Sequence, residues 1–278
     1  MTARWLSELT ADQRAAIAAI AAAATGCDGF GPLSDQTLVE LGRPGSHLLD
    51  DHAYAHLDGT TAELVVDPAR RRHRIGAALV AALRERTGGP LTVWAHGDTP
   101  VAQGFAAAVG LRRDRVLWQL RRPAADPLPA VSWPDGVDVR TFRPGRDEDA
   151  WLAVNAAAFA HHPEQGRWTR DDLAAREAED WFDPAGFFLA VRGEEVVGFH
   201  WTKRHDADHG EVYVVGVLPS AEGLGLGRSL TVRGLEHLRD VGCATVLLYV
   251  DDGNPRALGM YERLGFARWA ADATYVSP

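Results

Sequence analysis

A glycine-rich turn at residues 217–227 is the part of this sequence whose residue types point most directly to chemistry. Its sequence is VLPSAEGLGLG, and Gly223, Gly225 and Gly227 remove side chains where a predicted strand gives way to a predicted helix. Backbone N–H groups at such a turn face one concavity, beside the positive end of the helix dipole. The turn therefore predicts an anion site that fits a diphosphate, although a plain tight turn has a similar composition.

Other phosphate-binding classes do not fit this turn. No Gly-Lys-Ser/Thr follows the glycines, as a P-loop requires, and the strand comes in mid-domain after a hairpin, unlike the strand of a dinucleotide fingerprint. The formal net charge of −9 and the sequence pI near 5.6 argue against sequence-independent binding to nucleic acid, which depends on clustered Lys and Arg. The expected anion is therefore part of a small molecule.

The strand, turn and helix that would position this site occur twice. The distance from Pro68 to Gly76 is eight residues, and so is the distance from Pro219 to Gly227. The two copies read ELVVDPARRRHRIGAALVAALRE and EVYVVGVLPSAEGLGLGRSLTVRGLEHL. Landmarks that keep their order and spacing are the signature of an internal duplication.

A proline-rich segment separates the two copies. Residues 123–136 contain four prolines and show neither a helical nor a strand period, so we interpret them as a linker between domains at 1–122 and 137–278. In the second copy, consecutive strands precede a strand–helix alternation. This order predicts the α/β (α+β) class, with a mixed, mostly antiparallel sheet and helices on both faces of each copy.

The cysteines and the N-terminus bear on the compartment. Cys27 and Cys243 are far apart in sequence, which favours two reduced, buried thiols in a cytoplasmic protein over a disulfide or a metal site. The alanine-rich start is too weakly hydrophobic for a membrane span and lacks the features of a signal peptide. We expect an amphipathic first helix there, with Thr10 as its N-cap.

Two motifs in the second copy resemble the GNAT (GCN5-related N-acetyltransferase) family. The first is the loop V-x-P-x-x-x-x-x-G-L-G, and the second is N-P-x-A-L-x-x-Y-E-R-L-G-F at residues 254–266. The resemblance spans the second half, whereas the first half matches only the loop and a Val-Gly-Leu end. It implies two tandem GNAT folds that use acetyl-CoA as cosubstrate and need no metal.

Further blocks are similar to a tandem GNAT subfamily that acetylates the cysteinyl amine of Cys-GlcN-Ins, the last step of mycothiol synthesis. They are AFAHHPEQGRWT, WFDP, GFHWTK, GEVYVVGV and LLYV, together with ARRRHRIG and WAHG in the first half. The resemblance implies small-molecule partners, Cys-GlcN-Ins and acetyl-CoA. We also expect a monomer that binds neither nucleic acid nor a membrane. Two other hypotheses stay open: a tandem N-acetyltransferase of another small amine or peptide N-terminus, and a CoA-binding protein without catalysis.

The resemblance also implies roles for particular residues. Tyr261 matches the acid that protonates the leaving thiolate, and Glu211 matches the base and a substrate contact. A bulge near Gly216 would splay the central strand and expose its backbone to the thioester. Four further substrate contacts are implied at Asp35, Glu164, Lys203 and Tyr249. We interpret His161 and His162, beside this set, as surface histidines.

The implied acetyl-CoA contacts fall into two groups, one in each half. In the second half they are Val215, Gly216, Val217, Glu222, Gly223, Leu224, Gly225, Leu226, Gly227, Arg228, Asn254, Pro255, Arg256, Ala257, Leu258 and Gly259. In the first half they are Leu64, Val65, Val66, Arg72, His73, Arg74, Ile75, Gly76 and Ala77.

Each copy departs from the family pattern in one important way. Glu222 puts a carboxylate where the loop should favour an anion, and we expect Arg228 to offset it. In the first copy Arg74 replaces a motif glycine and Ala106 stands where the second copy has Tyr261. The first half is therefore predicted to bind CoA or to serve structurally, without catalysing.

Overall fold

The computed structural model describes residues 3–160 and 165–277. The chain divides into two compact units. The first unit comprises Met1–Trp118, Asp251–Gly253 and Ala270–Pro278, and the second comprises Gln119–Val250 and Asn254–Trp269. The strands β6 (Arg112–Pro123) and β12 (Ala267–Val276) each contribute residues to both units.

The first unit is a mixed sheet in which one neighbouring pair of strands is parallel. Its strands follow the order β1, β2, β3, β4, β5 and the end of β12, and only β4 and β5 run parallel. The elements are β1 (Arg4–Leu6), α1 (Ala11–Asp28), α2 (Asp35–Glu40), β2 (Ser46–Asp50), β3 (Ala53–Asp58), β4 (Thr61–Val66), α3 (Ile75–Thr87), β5 (Thr92–Ala95) and α4 (Pro100–Ala108).

Helices cover both faces of this sheet. Neighbouring residues of β2 point to opposite sides, so that Leu48 packs with Leu79 of α3 while Leu49 packs with Ile17 of α1. The predicted N-cap of α1 is confirmed, because the Thr10 hydroxyl accepts a hydrogen bond from the backbone of Gln13. The Gln13 side chain in turn accepts from the Thr10 amide, which completes a capping box.

The second unit repeats this arrangement. The strand order is β11, β10, β9, β8 and β7, with β6 beside β11, and only β10 and β11 among the registered pairs run parallel. The elements are β7 (Val137–Thr141), α5 (Glu148–Ala158), α6 (Arg170–Glu177), β8 (Phe187–Arg192), β9 (Glu195–Arg204), β10 (His209–Val217), α7 (Leu226–Asp240), β11 (Thr245–Asp251) and α8 (Pro255–Arg263).

Two apolar layers hold this second sheet between its helices. Phe187 of β8 and Trp201 of β9 stack at 4.5 Å and pack with Trp151 of α5 on one face. The next residue of β8, Phe188, packs with Leu230 of α7 on the other face. The predicted mixed, mostly antiparallel sheets with helices on both faces are thus confirmed.

The structure corrects one expectation about the cysteines. Cys243 is buried as predicted, but Cys27 is exposed in the last turn of α1. Cys27 comes after Ala24, the last buried residue of α1, so its place at the end of the helix rather than cysteine's usual preference sets its exposure. Within the described ranges, none of the helices is long and apolar enough to cross a membrane.

A partly buried ionic cluster joins three parts of the first unit. His96, just after β5, lies with Nε2 3.3 Å from Glu63 Oε1 and with Nδ1 3.5 Å from Asp272 Oδ2. Burial alone would lower the pKa of His96, but the bonds to Asp272 and Glu63 outweigh it and raise that pKa to about 9. Glu63 also accepts a 2.7 Å hydrogen bond from the amide of Ser34, the N-cap of α2.

This cluster predicts a loss of stability in mildly alkaline solution. Because the folded pKa of His96 lies above the ordinary histidine value, its contribution is complete below about pH 6.5 and is lost as pH rises through about 9. We expect the loss to be on the order of 2 kcal/mol between pH 7 and pH 10, measured as the free energy of unfolding in urea. His96→Gln should flatten that part of the profile, and equal slopes in the two proteins would contradict the assignment.

Candidate active site

The central strands of the second unit separate after a short paired region. β10 and β11 pair only where His209–Glu211 meets Thr245–Leu247, yet both strands continue beyond this point. The backbone N–H and C=O groups of Val212–Val217 that point toward β11 therefore have no partner in that strand. Unpaired strand edges readily accept an extended ligand that carries amides of its own.

A bulge accompanies the split, but it lies earlier than predicted. The register of β10 against β9 shifts between Val212 and Val214, which makes Tyr213 the extra residue. Gly216 keeps regular pairing with Phe199, so the structure corrects the expected position near Gly216. Glycine is required there because a Cβ would lie 2.6 Å from the Phe199 ring.

The glycine turn has the geometry that its sequence predicts. Gly223 and Gly225 adopt φ values of 81° and 76°, a left-handed conformation that glycine reaches without steric cost. Gly225 is the N-cap of α7 and has no side chain to satisfy the first amides of the helix. The turn thus leaves backbone donors at the positive end of a helix, where a diphosphate is stabilised.

The acidic residue of this turn is neutralised by a residue other than the expected one. The Glu222 carboxylate accepts a 2.6 Å ion-paired hydrogen bond from Arg256 in the first turn of α8. The expected offset by Arg228 is therefore wrong, because Arg256 is the residue that reaches the Glu222 carboxylate. The neighbouring Asn254 is the N-cap of α8 and accepts from the Ala257 amide at 3.0 Å.

Tyr261 lies on α8 at the edge of the core. Its side chain is only 9 % exposed and its ring meets Phe266 edge-on at 5.8 Å. Burial raises the pKa of Tyr261 to about 12, so the phenol stays protonated throughout the neutral and mildly alkaline range. The side chain can therefore act as a proton or hydrogen-bond donor but not as a base.

Glu211 stands at the last paired position of β10, where the strands begin to split. It is buried, and its Oε2 lies 2.7 Å from His205 Nε2. Its cross-strand partner on β9 is Lys203, another predicted substrate contact. The structure thus brings Glu211 and Lys203 together at the mouth of the split.

Aromatic rings line the sheet beside Lys203. The Lys203 ammonium lies 4.8 Å from the centre of the Trp181 ring and 5.6 Å from that of Tyr213. The Arg176 guanidinium stacks on Trp168 at 3.7 Å and donates to the Tyr213 hydroxyl at 3.1 Å. These cation–π contacts hold the positive charges of Lys203 and Arg176 against the aromatic rings beside the split.

The other predicted substrate contacts are more scattered. Tyr249 is 44 % exposed on the separated part of β11, and its hydroxyl accepts a 2.5 Å hydrogen bond from Gln119 of β6. Asp35 is exposed at the start of α2 in the first unit. Glu164, His161 and His162 lie outside the described residues. In the described part of the chain, no cluster of three histidines, cysteines or carboxylates has the arrangement of a metal site.

Sequence reasoning did not find three residues that contact this site. They are His205 against Glu211, Arg176 against Tyr213, and Trp181 against Lys203. Each contact depends on a hairpin or on a helix packed over the sheet rather than on a local motif. One signal in the sequence was available. Side chains alternate between the two faces along a strand, and this alternation along β9 and β10 places Lys203 and Glu211 on the same face.

Similarity to curated relatives extends over nearly the whole chain. The mycothiol acetyltransferase of Thermomonospora curvata is 58% identical over 97% of this chain and 95% of the relative. That of Thermobispora bispora is 50% identical over 99% of each. The chain belongs to the mycothiol acetyltransferase family. The predicted resemblance to a tandem GNAT subfamily that acts in mycothiol synthesis is thereby confirmed.

The wider relationship agrees with this membership. Residues 154–266 match the model of the acetyltransferase (GNAT) family. A GCN5-related N-acetyltransferase from Sphaerobacter thermophilus superposes with a TM-score of 0.73 at 24% identity, covering 99% of this chain and 95% of that one. A tandem GNAT protein of the clavulanic acid pathway gives 0.69 at 20% identity, covering 99% and 98%. At these identities the two structures establish the fold alone.

In this member of the mycothiol acetyltransferase family, the first unit keeps the split-strand geometry. β4 and β5 pair only at Thr61–Ala62 with Thr92–Val93, although β4 continues to Val66. Buried Ala106 occupies the place of Tyr261, because its carbonyl accepts from Leu111 as the Tyr261 carbonyl accepts from Phe266. The position therefore lacks a phenol.

The first unit also keeps its loop conformation without the glycines. Arg72 and Arg74 adopt φ values of 67° and 62°, where the second unit has Gly223 and Gly225. Arg71, directly before Arg72, is anchored, because its guanidinium donates to both carboxylate oxygens of Asp28 at 2.7 and 2.6 Å. Such anchoring holds non-glycine residues in a conformation that costs on the order of 1 kcal/mol each.

This strain predicts that glycine stabilises the first-unit loop. We expect Arg72→Gly or Arg74→Gly to raise the free energy of unfolding by about 1 kcal/mol, measured in urea. Arg70→Gly is the matched control, since Arg70 ends a 3-10 helix outside the left-handed region and should lose stability instead. Equal destabilisation by all three substitutions would show that the two arginines carry no strain.

Proposed function

We propose that this chain transfers the acetyl group of acetyl-CoA to the cysteinyl amine of Cys-GlcN-Ins and so forms mycothiol. The observation that carries the proposal is the 58% identity to a mycothiol acetyltransferase over nearly the full length of both chains. The split of β10 from β11, with Glu211 at its mouth and Tyr261 on α8, supports the same reaction.

The second unit fits the cosubstrate in two places. The left-handed turn at Gly223 and Gly225 and the uncapped start of α7 would hold the diphosphate. The free edge of β10 at Val215–Val217 would pair with the amides of the pantetheine arm. When bound, acetyl-CoA supplies a thioester carbonyl that the substrate amine attacks.

Glu211 is the proposed base. An α-amino group has a pKa of about 7.7–8.0, so much of it is protonated at neutral pH and is not nucleophilic. The Glu211 carboxylate takes one proton from this ammonium, directly or through a water, and leaves a free amine. Its burial at the mouth of the split keeps the exchange local.

Tyr261 is the proposed acid. Attack by the amine forms the C–N bond and breaks the C–S bond, which leaves a negative charge on the CoA sulfur and a positive charge on the nitrogen. The nitrogen then loses its second proton to give the amide, and this proton balances the one that the thiolate takes up. The Tyr261 phenol gives its proton, or a strong hydrogen bond, to that sulfur. A pKa raised to about 12 by burial keeps the phenol protonated before this step.

The remaining roles follow from the chemistry of the substrate. We assign Glu164, Lys203, Tyr249 and, from the first unit, Asp35 to contacts with the cationic amine and the hydroxyls. The carboxylates of Glu164 and Asp35 suit the cationic amine, and the polar groups of Lys203 and Tyr249 suit the hydroxyls. The exposed loop arginines of the first unit support CoA binding or a structural role there, and buried Ala106 argues against catalysis by residues 1–122.

We further propose that the chain works as a cytoplasmic monomer, with the linker at 123–136 before a catalytic domain at 137–278. The acidic composition and the two unpaired cysteines support these assignments. Activity that sediments with a monomer would agree, whereas activity confined to a larger assembly would overturn the monomer.

The direct test is turnover of the purified full chain with acetyl-CoA and Cys-GlcN-Ins. Mass spectrometry should show the N-acetylated product, and it avoids thiol reagents, which would react with the substrate itself. Turnover only with another amine, such as an aminoglycoside or a peptide N-terminus, would replace the substrate. CoA binding without turnover of any amine would show a non-catalytic protein.

A further inference from the structure

The hairpin between β9 and β10 brings a histidine to the buried carboxylate of Glu211. His205 Nε2 lies 2.7 Å from Glu211 Oε2, six residues away in sequence. The exposed fractions of the two side chains are 35% and 9%. A contact this short between a ring nitrogen and a carboxylate is a charge-assisted hydrogen bond.

The hairpin holds His205 by several bonds of its own. The His205 amide donates to the His209 carbonyl at 2.9 Å, and the Asp206 carboxylate accepts from the amides of Asp208 and His209 at 2.8 Å each. Arg204 donates to the Asp206 carbonyl at 3.0 Å. The turn is therefore defined independently of Glu211.

The two cross-strand neighbours of Glu211 do not provide a comparable hydrogen bond to its carboxylate. Lys203 is its cross-strand neighbour, but the ammonium lies over the rings of Trp181 and Tyr213. On the other side, the paired residue of β11 is the apolar Leu247. The 2.7 Å bond from His205 is thus the contact that fixes the orientation of the Glu211 carboxylate.

We propose that His205 is the positioning residue of Glu211. In the resting protein its Nε2–H donates to Oε2, which fixes the carboxylate plane and leaves Oε1 for the proton of the substrate ammonium. Without this bond the side chain of Glu211 samples other rotamers, and fewer encounters lead to proton transfer. The inference rests on the proposed function, because it concerns the base of that reaction.

The decisive comparison is between two substitutions of His205. His205→Gln keeps an N–H donor at nearly the same distance from the backbone, whereas His205→Leu removes it. We expect His205→Leu to lower kcat/KM about tenfold or more and His205→Gln to stay within about threefold of wild type. Equal losses in both variants would overturn a positioning role by hydrogen-bond donation.

The same hairpin provides a matched control. His209 Nδ1 lies 3.0 Å from the Asp206 carboxylate, so it too is a histidine paired with an acid, but it does not contact Glu211. His209→Leu should leave kcat/KM near the wild-type value. A loss equal to that of His205→Leu would assign the effect to the hairpin as a whole.

A double substitution tests whether His205 acts through Glu211. In a Glu211→Gln background the base is absent, so adding His205→Leu should lower kcat/KM no further. Multiplied losses would overturn the inference, because they would mean that His205 acts by an independent route.

Imidazole 15N NMR of the full chain provides a readout that does not depend on turnover. We expect a protonated Nε2 and an unprotonated Nδ1 for neutral His205, and the opposite tautomer would overturn the inference. If wild type fails to acetylate Cys-GlcN-Ins, the proposed function fails while this measurement still decides the pairing.

Discussion

Replacement of Tyr261 by phenylalanine is expected to lower kcat about a hundredfold and to leave the affinity for acetyl-CoA near wild type. The substitution removes only the hydroxyl, and the ring would keep its edge-on contact with Phe266. The thiolate would then leave without a proton donor beside it. Steady-state kinetics give kcat, and calorimetric titration with acetyl-CoA in the absence of the amine gives the affinity.

Tyr275→Phe is the matched control for this substitution. Tyr275 is also a buried tyrosine, but it lies in the first unit and donates to Asp98 at 2.6 Å. Its loss should lower stability by about 1–3 kcal/mol without changing kcat. Full activity of Tyr261→Phe would remove the phenol from the mechanism.

The pH dependence gives a second check on Tyr261. Because burial raises the pKa of Tyr261 to about 12, the phenol remains protonated below about pH 11. A fall in activity between pH 8 and pH 10 therefore does not come from loss of the Tyr261 proton. The variant should show the wild-type shape in this range at a lower level.

The sequence predicted those parts of the site whose geometry depends on the types of neighbouring residues. Gly223 and Gly225 indicate left-handed backbone. The equal spacing from Pro68 to Gly76 and from Pro219 to Gly227 indicates the duplication. Helix and strand periods gave the fold class. These features depend on backbone conformation within a few residues, which composition reports directly.

The position of the bulge and the partner of Glu222 depend on contacts between distant parts of the chain, so the sequence did not predict them. The extra residue of the bulge is Tyr213, which packs with Trp181 and Trp201 from other elements, rather than the glycine three positions later. Glu222 finds Arg256 from α8, 34 residues away. No local pattern predicts such pairs, because the residues around each partner in the sequence are compatible with an exposed, unpaired side chain as well.

In the loop of the first unit, a tertiary contact preserves a backbone conformation that the local sequence does not favour. Arg74 in place of a glycine suggests that the motif conformation is lost, yet Arg72 and Arg74 both remain left-handed. The bidentate bond from Arg71 to Asp28 of α1 is a tertiary anchor that outweighs local preference. In this loop, substitutions that weaken the sequence motif therefore leave the backbone geometry intact.

Replacement of Glu211 by glutamine should lower kcat/KM about a hundredfold at neutral pH, and the loss should shrink as the pH rises. Glutamine is close to glutamate in shape and can still accept from His205, so the hairpin contact is retained. It cannot take a proton from the ammonium. The variant then depends on substrate that is already free base, and that fraction grows through a pKa of about 8.

The measurement is kcat/KM for Cys-GlcN-Ins from pH 6.5 to pH 9.5 in wild type, Glu211→Gln and a control carboxylate variant. Glu195→Gln serves as the control, because Glu195 is exposed at the far end of β9 and pairs with Arg192 across the hairpin. A ratio of wild type to Glu211→Gln that falls with pH identifies Glu211 as the base. A ratio that is large but constant with pH would show that Glu211 does not act as the base, because the advantage of a base shrinks as the substrate becomes free amine without its help.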